Sequence, residues 1–447
     1  MAPYFLRNLV HKRERSADAR PLLKVLGELT WIQWALFFSG WLAWTCDSLD
    51  FFSVSLSVTH LQTQFGKSTT DITTAITLTL LFRSVGAVIF GILSDRFGRK
   101  WPLIWNLILV AILELSAGFV QTFKQFLALR CTALENLPVE ARGVASGFLQ
   151  EGYAVGYLLA AVINLFLVPE VSVSWRALFW TASGVSVFAA FIRLLLPESE
   201  VFLRAKALEK ARDKEMLKKH WLLCIYAVLL MTGFNFLSHG SQDLYPTYLT
   251  QSKGISSHDA TVATIIGNCG AIAGGVFAGW LSQYIGRHLT ILIHVLLIGA
   301  FIPLWILPST FSALAAGAFC IQFGVQGAWG VIPIQLSEMS PPAFRATFPG
   351  VAYQVGNDYH YRKWKVVNVP DYAKVQGILI GVVAAFVFVV TLIGPENHGS
   401  HFEKHKTAFE EGGGQDDAVM EDEITPEEGS GRESGSVIDE KQENEKV

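Results

Sequence analysis

Charge is what this 447-residue chain has little of. Asp, Glu, Lys and Arg together make up 16% of it, against roughly 25% in a typical soluble protein. The net charge is −3, so there is no overall basic surface for nucleic acid. Cysteine is scarce and scattered: Cys46, Cys131, Cys224, Cys269 and Cys320 form no CxxC pair, which excludes a disulfide framework and a cysteine metal site. The phosphate loop GxxxxGK[ST] is missing, so ATP does not drive the protein directly, and GxSxG and HExxH are missing too. No enzyme, cofactor or metal is expected. Nor is a cleavable signal peptide visible. Residues 1–28 are polar and basic (Arg7, Lys12, Arg13, Arg15, Arg20, Lys24), and the first apolar run follows without a small-residue cleavage site.

Apolar residues are what the chain has in abundance: 51% of it, with 13 Trp and 31 Phe. They come in runs, and a bilayer core of about 30 Å needs roughly 20 apolar residues per helix. Such runs lie near 31–58, 70–93, 101–120, 143–168, 175–196, 220–249, 259–284, 289–307, 311–337 and 375–394, with weaker stretches at 125–137 and 346–357. This patterning predicts an all-α multi-pass membrane protein in the lipid bilayer. Residues 197–219 carry seven Lys/Arg and five Asp/Glu and read as a charged helical linker. It separates a helix bundle over 29–196 from a second over 220–394. The tail 395–447 is rich in Glu, Asp, Gly and Ser, a composition that predicts disorder.

The two halves repeat each other. GILSDRFGRK (Gly91 to Lys100) returns as GWLSQYIGRH (Gly279 to His288), 188 residues later. ENLPVEARG (Glu135, Pro138, Arg142) returns as EMSPPAFRA (Glu338, Pro341, Arg345) at an offset of 203. Two pairs in the same order argue for duplicated bundles. The offsets differ by 15 residues, so the first half is short where its fourth helix belongs. The segment KQFLALRCTALENL has Arg130 in its middle, and at 1.5 Å per residue it reaches only about 21 Å. The eleventh helix is also interrupted, because FPGVAYQVGN runs into the basic DYHYRKWKVVN. Positive-inside placement of RFGRK and the 197–219 linker needs an even number of crossings between them. The chain therefore reads as a twelve-helix parent with its fourth and eleventh helices truncated. A gene-model or splicing origin explains this more simply than a ten-helix redesign.

GxLxDRxGRK resembles the cytoplasmic loop motif of the major facilitator superfamily at every position. Gly91 allows close helix approach, and Asp95 can pair with Arg99 or cap a neighbouring helix. The resemblance makes Gly91, Asp95, Arg96, Gly98 and Arg99 gating residues rather than substrate ligands. In the seventh span, NFLSHGSQDLYPT places Asn235, Ser238, His239, Gln242 and Asp243 on one side of a helix. Such a polar stripe is expensive in hydrocarbon and should face a cavity, although a polar helix–helix seam is the alternative. Pro246 then ends or kinks the helix.

This pattern resembles the signature of the fungal Jen-type lactate/pyruvate permeases, within the sialate/monocarboxylate branch of the superfamily. WTCDSLDFF, LTLLFRSVGA, SGFLQEGYAVGYLLAA and YQVGN extend the likeness; 125–134 and 358–368 break it. Arg83 lies within the second span and can grip a carboxylate with two hydrogen bonds, or neutralise Asp47 or Asp50 of the first. Asp47 and Asp50 read either as proton sites or as members of a charge network, since burial favours the neutral form of a carboxyl. Glu151 is a further candidate for the bundle interior, and Glu114 is unassigned. By resemblance, Ser146, Gln354 and Asn357 line the same pathway. His239 can carry a coupled proton or hydrogen-bond the substrate, and Asp243 joins it in proton coupling. GNCGAIAGG (267–275) has the look of a dinucleotide loop, but it sits in an apolar span and its glycines suit close helix packing.

The resemblance implies two six-helix bundles with a site between them. It also implies proton-coupled symport of lactate, pyruvate or acetate by alternating access, with the proton as coupling ion. The expected location is the plasma membrane, with both termini cytoplasmic and a tail available to endocytic machinery. A dicarboxylate or sialic acid symporter remains open, as does a non-transporting receptor or inactive truncated carrier.

Overall fold

The computed structural model describes residues 30–67, 100–132, 144–198, 221–339 and 372–394, together with 27, 71–72, 93 and 97–98. Among the described residues the regular structure is entirely helical. Helix α1 (Trp31–Phe65) opens on a capping box, in which Thr30 and Gln33 each accept from the other's backbone N–H at 3.3 and 2.8 Å. It outruns the expected 31–58 and stops at Gly66, whose φ of 60° ends the helix. Next come α2 (Lys100–Ala117), α3 (Phe123–Thr132), α4 (Val144–Phe166) and α5 (Arg176–Leu195). The second half contains α6 (Trp221–Gln242), α7 (Tyr245–Gln251), α8 (Ser257–Ile285), α9 (Arg287–Ile306), α10 (Phe311–Trp329), α11 (Ile332–Met339) and α12 (Tyr372–Ile393). Seven helical stretches among the described residues are long and apolar enough to cross a membrane, and α1 and α4 match them in length.

Two expected single spans are each split by a short break. The 220–249 run divides into α6 and α7 at Asp243–Leu244, just before Pro246, and 311–337 divides into α10 and α11 just before Pro333. Proline lacks the N–H that would continue the ladder. Helix α3 is described as far as Thr132, and the rest of the expected fourth-helix segment, 133–137, lies outside the described residues. The linker beyond Glu198, the eleventh-helix segment and the tail lie outside the described residues.

The halves have separate cores. Phe51, Phe52, Tyr153, Tyr157, Trp175 and Phe179 are buried together in the first; Phe234, Tyr248, Trp305 and Trp329 belong to the second. Close approach depends on missing side chains. A Cβ at Gly156 of α4 would strike the Thr45 carbonyl of α1, and Cβ atoms at Gly270 and Gly274 of α8 would strike the Phe319 and Phe323 carbonyls of α10. The 267–275 glycines thus serve packing. The halves meet chiefly along α4 and α8.

The sequence repeat has a backbone counterpart. Gly98 and Gly286 hold equivalent positions in the two copies and have φ of 97° and 94°, a region that L-residues rarely adopt. At the second copy, buried Arg287 donates to the Ser282 hydroxyl at 2.8 Å. In the first half, Glu198 accepts the Lys100 backbone N–H at 3.0 Å and lies 3.8 Å from Arg193. It thereby ties the start of α2 to the end of α5.

Candidate functional site

The α6 stripe divides into two edges. His239 and Asp243 form one edge, and the His239 ring turns to α1. Their Nδ1 and Oδ1 atoms are 3.1 Å apart, and the imidazole side chain is 1% exposed against 10% for the carboxyl. Phe51 of α1 sets its ring edge against His239 at 5.2 Å between centroids. Ser238 and Gln242 occupy the other edge and turn to α10. The Gln242 amide donates to Gln322 Oε1 at 2.7 Å, Gln322 donates to the Ser241 hydroxyl at 3.1 Å, and Gln326 donates to the Ser238 hydroxyl at 3.5 Å. Half of the expected cavity-facing stripe is therefore a helix–helix seam. Trp329 Nε1 closes that seam on the Phe234 carbonyl at 3.2 Å.

Asn235, one turn before His239, is fully buried. Asp47 and Asp50 of α1 are buried also, on a stretch that carries Ser48, Ser53, Ser55 and Ser57. Asn235 and His239 thus share a buried stretch of α6 that meets α1 through Phe51, while Asp47 and Asp50 lie in the buried middle of α1. A small cavity adjoins the Gln242–Gln322 seam, lined by Tyr157, Gln242, Tyr245, Thr264, Asn268 and Gln322 among others, with about 20 Å³ of open space. That is room for about one water molecule, so a carboxylate enters only after the helices part. Beyond it a second cleft, of about 40 Å³, opens at the outer ends of α1, α7 and α8, those away from the repeated loop at Gly286, and is lined there by Thr59, Gln62, Asn164, Thr250 and Thr261.

Of the remaining expected site residues, Ser146 lies on α4, with its side chain outside the described residues. Arg83, Gln354, Asn357, Gly91, Asp95, Arg96 and Arg99 all lie outside them; Gly98 is placed as above. Among the described residues no cluster of His, Cys, Asp or Glu is arranged to hold a metal ion. The sequence reading missed Ser241, Gln322, Gln326, Asn268 and Tyr157. The available signal was Gln322 and Gln326, two amides one turn apart in an apolar run.

Comparison with known proteins follows this geometry. The Major Facilitator Superfamily model matches residues 36–357. A carboxylic acid transporter protein homolog of Saccharomyces cerevisiae is 34% identical over 87% of this chain and 72% of its own length. A cis,cis-muconate transport protein of Acinetobacter baylyi is 27% identical over 74% of this chain and 85% of its own. Among solved structures, the proton:xylose symporter XylE of E. coli, bound to 6-bromo-6-deoxy-D-glucose, superposes with a TM-score of 0.65 at 17% identity. The match covers 84% of this chain and 97% of that one.

Proposed function

The chain belongs to the major facilitator superfamily, with that family's fold and a carrier's role rather than an enzyme's, and from this premise we propose that it is a proton-coupled symporter of short monocarboxylates. The observation that carries the reading is the His239–Asp243 pair within the seventh span, one helical turn from the fully buried Asn235. With His239 neutral, the pair carries one negative charge and repels an anion. One proton makes it a net-neutral imidazolium–carboxylate pair, and a monocarboxylate can then approach. Binding order follows from sign: proton first, anion second. Arg83 is the proposed carboxylate grip, and Asn235 and the amides of Gln354 and Asn357 are proposed donors. A charge left unpaired at mid-membrane costs kilocalories, so the doubly loaded carrier is the one that rocks.

The relative named for carboxylic acid transport supports this substrate class. Basic loops on one side support a cytoplasmic placement of the 91–100 and 279–288 loops and both termini. The proposed location is the plasma membrane, with a tail available for endocytic control. A second reading, dicarboxylate transport, is favoured by the relative named for cis,cis-muconate.

The test is uptake of labelled lactate at acid and neutral external pH by yeast lacking its own carriers. Acid-stimulated, saturable uptake is expected, and Arg83→Ala should abolish it while surface expression persists. Competition by unlabelled pyruvate, acetate, muconate and sialic acid ranks the substrates. Surface protein that binds lactate without importing it would identify a receptor instead, and no folded surface protein would identify an inactive truncated carrier.

A further inference from the structure

Glu151 sits on α4 in the middle of the contact between the two halves. It is 2% exposed, and neither carboxyl oxygen has a hydrogen-bond partner among the described residues. Its Oε1 occupies the space where a side chain at Gly275 of α8 would begin, and the Gln326 carbonyl of α10 lies 3.4 Å from that same point. That carbonyl is an acceptor, which disfavours a carboxylate and suits a carboxylic acid. An isolated buried carboxylate without donors is among the costliest groups a protein can hold.

The level of Glu151 follows from its neighbours. A Cβ at Gly152 would meet Trp41, Trp44 and Thr45 of α1, whereas His239 meets Phe51. Glu151 therefore lies about two helical turns, roughly 11 Å, nearer the basic-loop end than the His239–Asp243 pair. Titratable or charged groups on the helices packed against α4 are Cys46, Asp47, Asp50 and His60 on α1, His258, Asp259, Cys269 and Tyr284 on α8, Cys320 on α10, and Arg176 and Arg193 on α5. Tyr153 and Tyr157 share α4 itself, and Glu338 of α11 has its side chain outside the described residues. None hydrogen-bonds or ion-pairs with Glu151 among the described residues.

We propose that Glu151 is a second protonation site, separate from the His239–Asp243 pair, and that its carboxyl must hold a proton for the halves to close over Gly275. Parting of α4 from α8 admits water, and the group then releases its proton on the basic-loop side. Under the orientation proposed above that side is the cytoplasm, so closure of the inner gate is tied to cytoplasmic pH. The proposal rests on the carrier reading only in taking the α4–α8 contact as a gate.

The test needs no substrate. The full chain in lipid vesicles is treated with dicyclohexylcarbodiimide, which modifies protonated carboxyls in apolar surroundings, and adducts are mapped by peptide mass spectrometry between pH 6 and pH 8. Glu151 should be modified at pH 6, and the yield should fall several-fold by pH 8. Gly275→Ala should reduce the pH 6 yield to background, because the new Cβ evicts a flexible side-chain end rather than backbone. Gly299→Ala, with open space at its Cβ, should leave it unchanged. An unmodified Glu151 at pH 6, or a yield indifferent to pH in the wild-type chain, would overturn the proposal whether or not the Gly275 variant folds. Failure of lactate uptake with this labelling intact would strike the monocarboxylate reading alone.

Discussion

At the scale of the residue, the His239–Asp243 pair makes the sharpest demand. Asp243→Asn keeps the size of the side chain and a partner for the imidazole at the present 3.1 Å contact, but removes the negative charge. The doubly loaded site then carries the wrong charge balance. The expected outcome is uptake at acid pH reduced by about ten-fold or more, equivalent to roughly 1.4 kcal/mol in the barrier, with surface expression unchanged. Stimulation by external acid should vanish along with it. A variant that keeps the full acid-stimulated rate would remove the pair from coupling. His239 and Asp243 were legible in the sequence because ionisable groups in an apolar run are expensive and need a reason. Gln322 and Gln326 were not, because amides are cheaper there and only the folded α6–α10 contact shows that they bind Gln242 and Ser238. Glu151 was visible as a buried acid, but its relation to Gly275 belongs to tertiary structure.

At the scale of the element, most helices could be read from their apolar runs, within a few residues at either end. The exceptions have local causes. The α6–α7 and α10–α11 breaks occur beside prolines inside continuous apolar stretches, where hydropathy alone has no signal. The last turns of α1 are polar, and they stay helical until Gly66 stops them. The repeated loop is the other instructive case. The match of Gly98 to Gly286 was a matter of letters in the sequence; in the structure both residues adopt φ values near 95°. Gly286 directly joins α8 to α9, so the turn cannot relax without moving a helix. Gly286→Ala is expected to destabilise the carrier by about 1–3 kcal/mol, lowering its thermal midpoint in detergent. Gly299→Ala, in mid-helix with open space around it, should be neutral or stabilise by up to about 1 kcal/mol from helix propensity alone. Equal midpoints for the two variants would mean that the Gly286 geometry carries no strain penalty.

At the scale of the whole molecule, the duplicated halves seen in the sequence become two cores joined along α4 and α8. The gating loop Gly91–Arg99 and the Arg83, Gln354 and Asn357 positions lie mostly outside the described residues, so the alternating-access reading is best tested on the α4–α8 contact itself. The cavity between the halves admits about one water, and the outer cleft passes between Asn164 of α4 and Thr261 of α8. If substrate enters by that cleft, the two helices must separate there in every cycle. Asn164→Cys with Thr261→Cys, joined by a short bis-maleimide, would hold them together. The linked carrier should lose uptake, and each single variant treated with the same reagent should retain it. The tether restrains the outer ends alone and leaves the Glu151–Gly275 contact untouched, so carbodiimide modification of Glu151 at pH 6 should persist in the linked protein. Undiminished uptake by the linked carrier would show that the halves do not part at this cleft, and the pathway would have to be sought elsewhere.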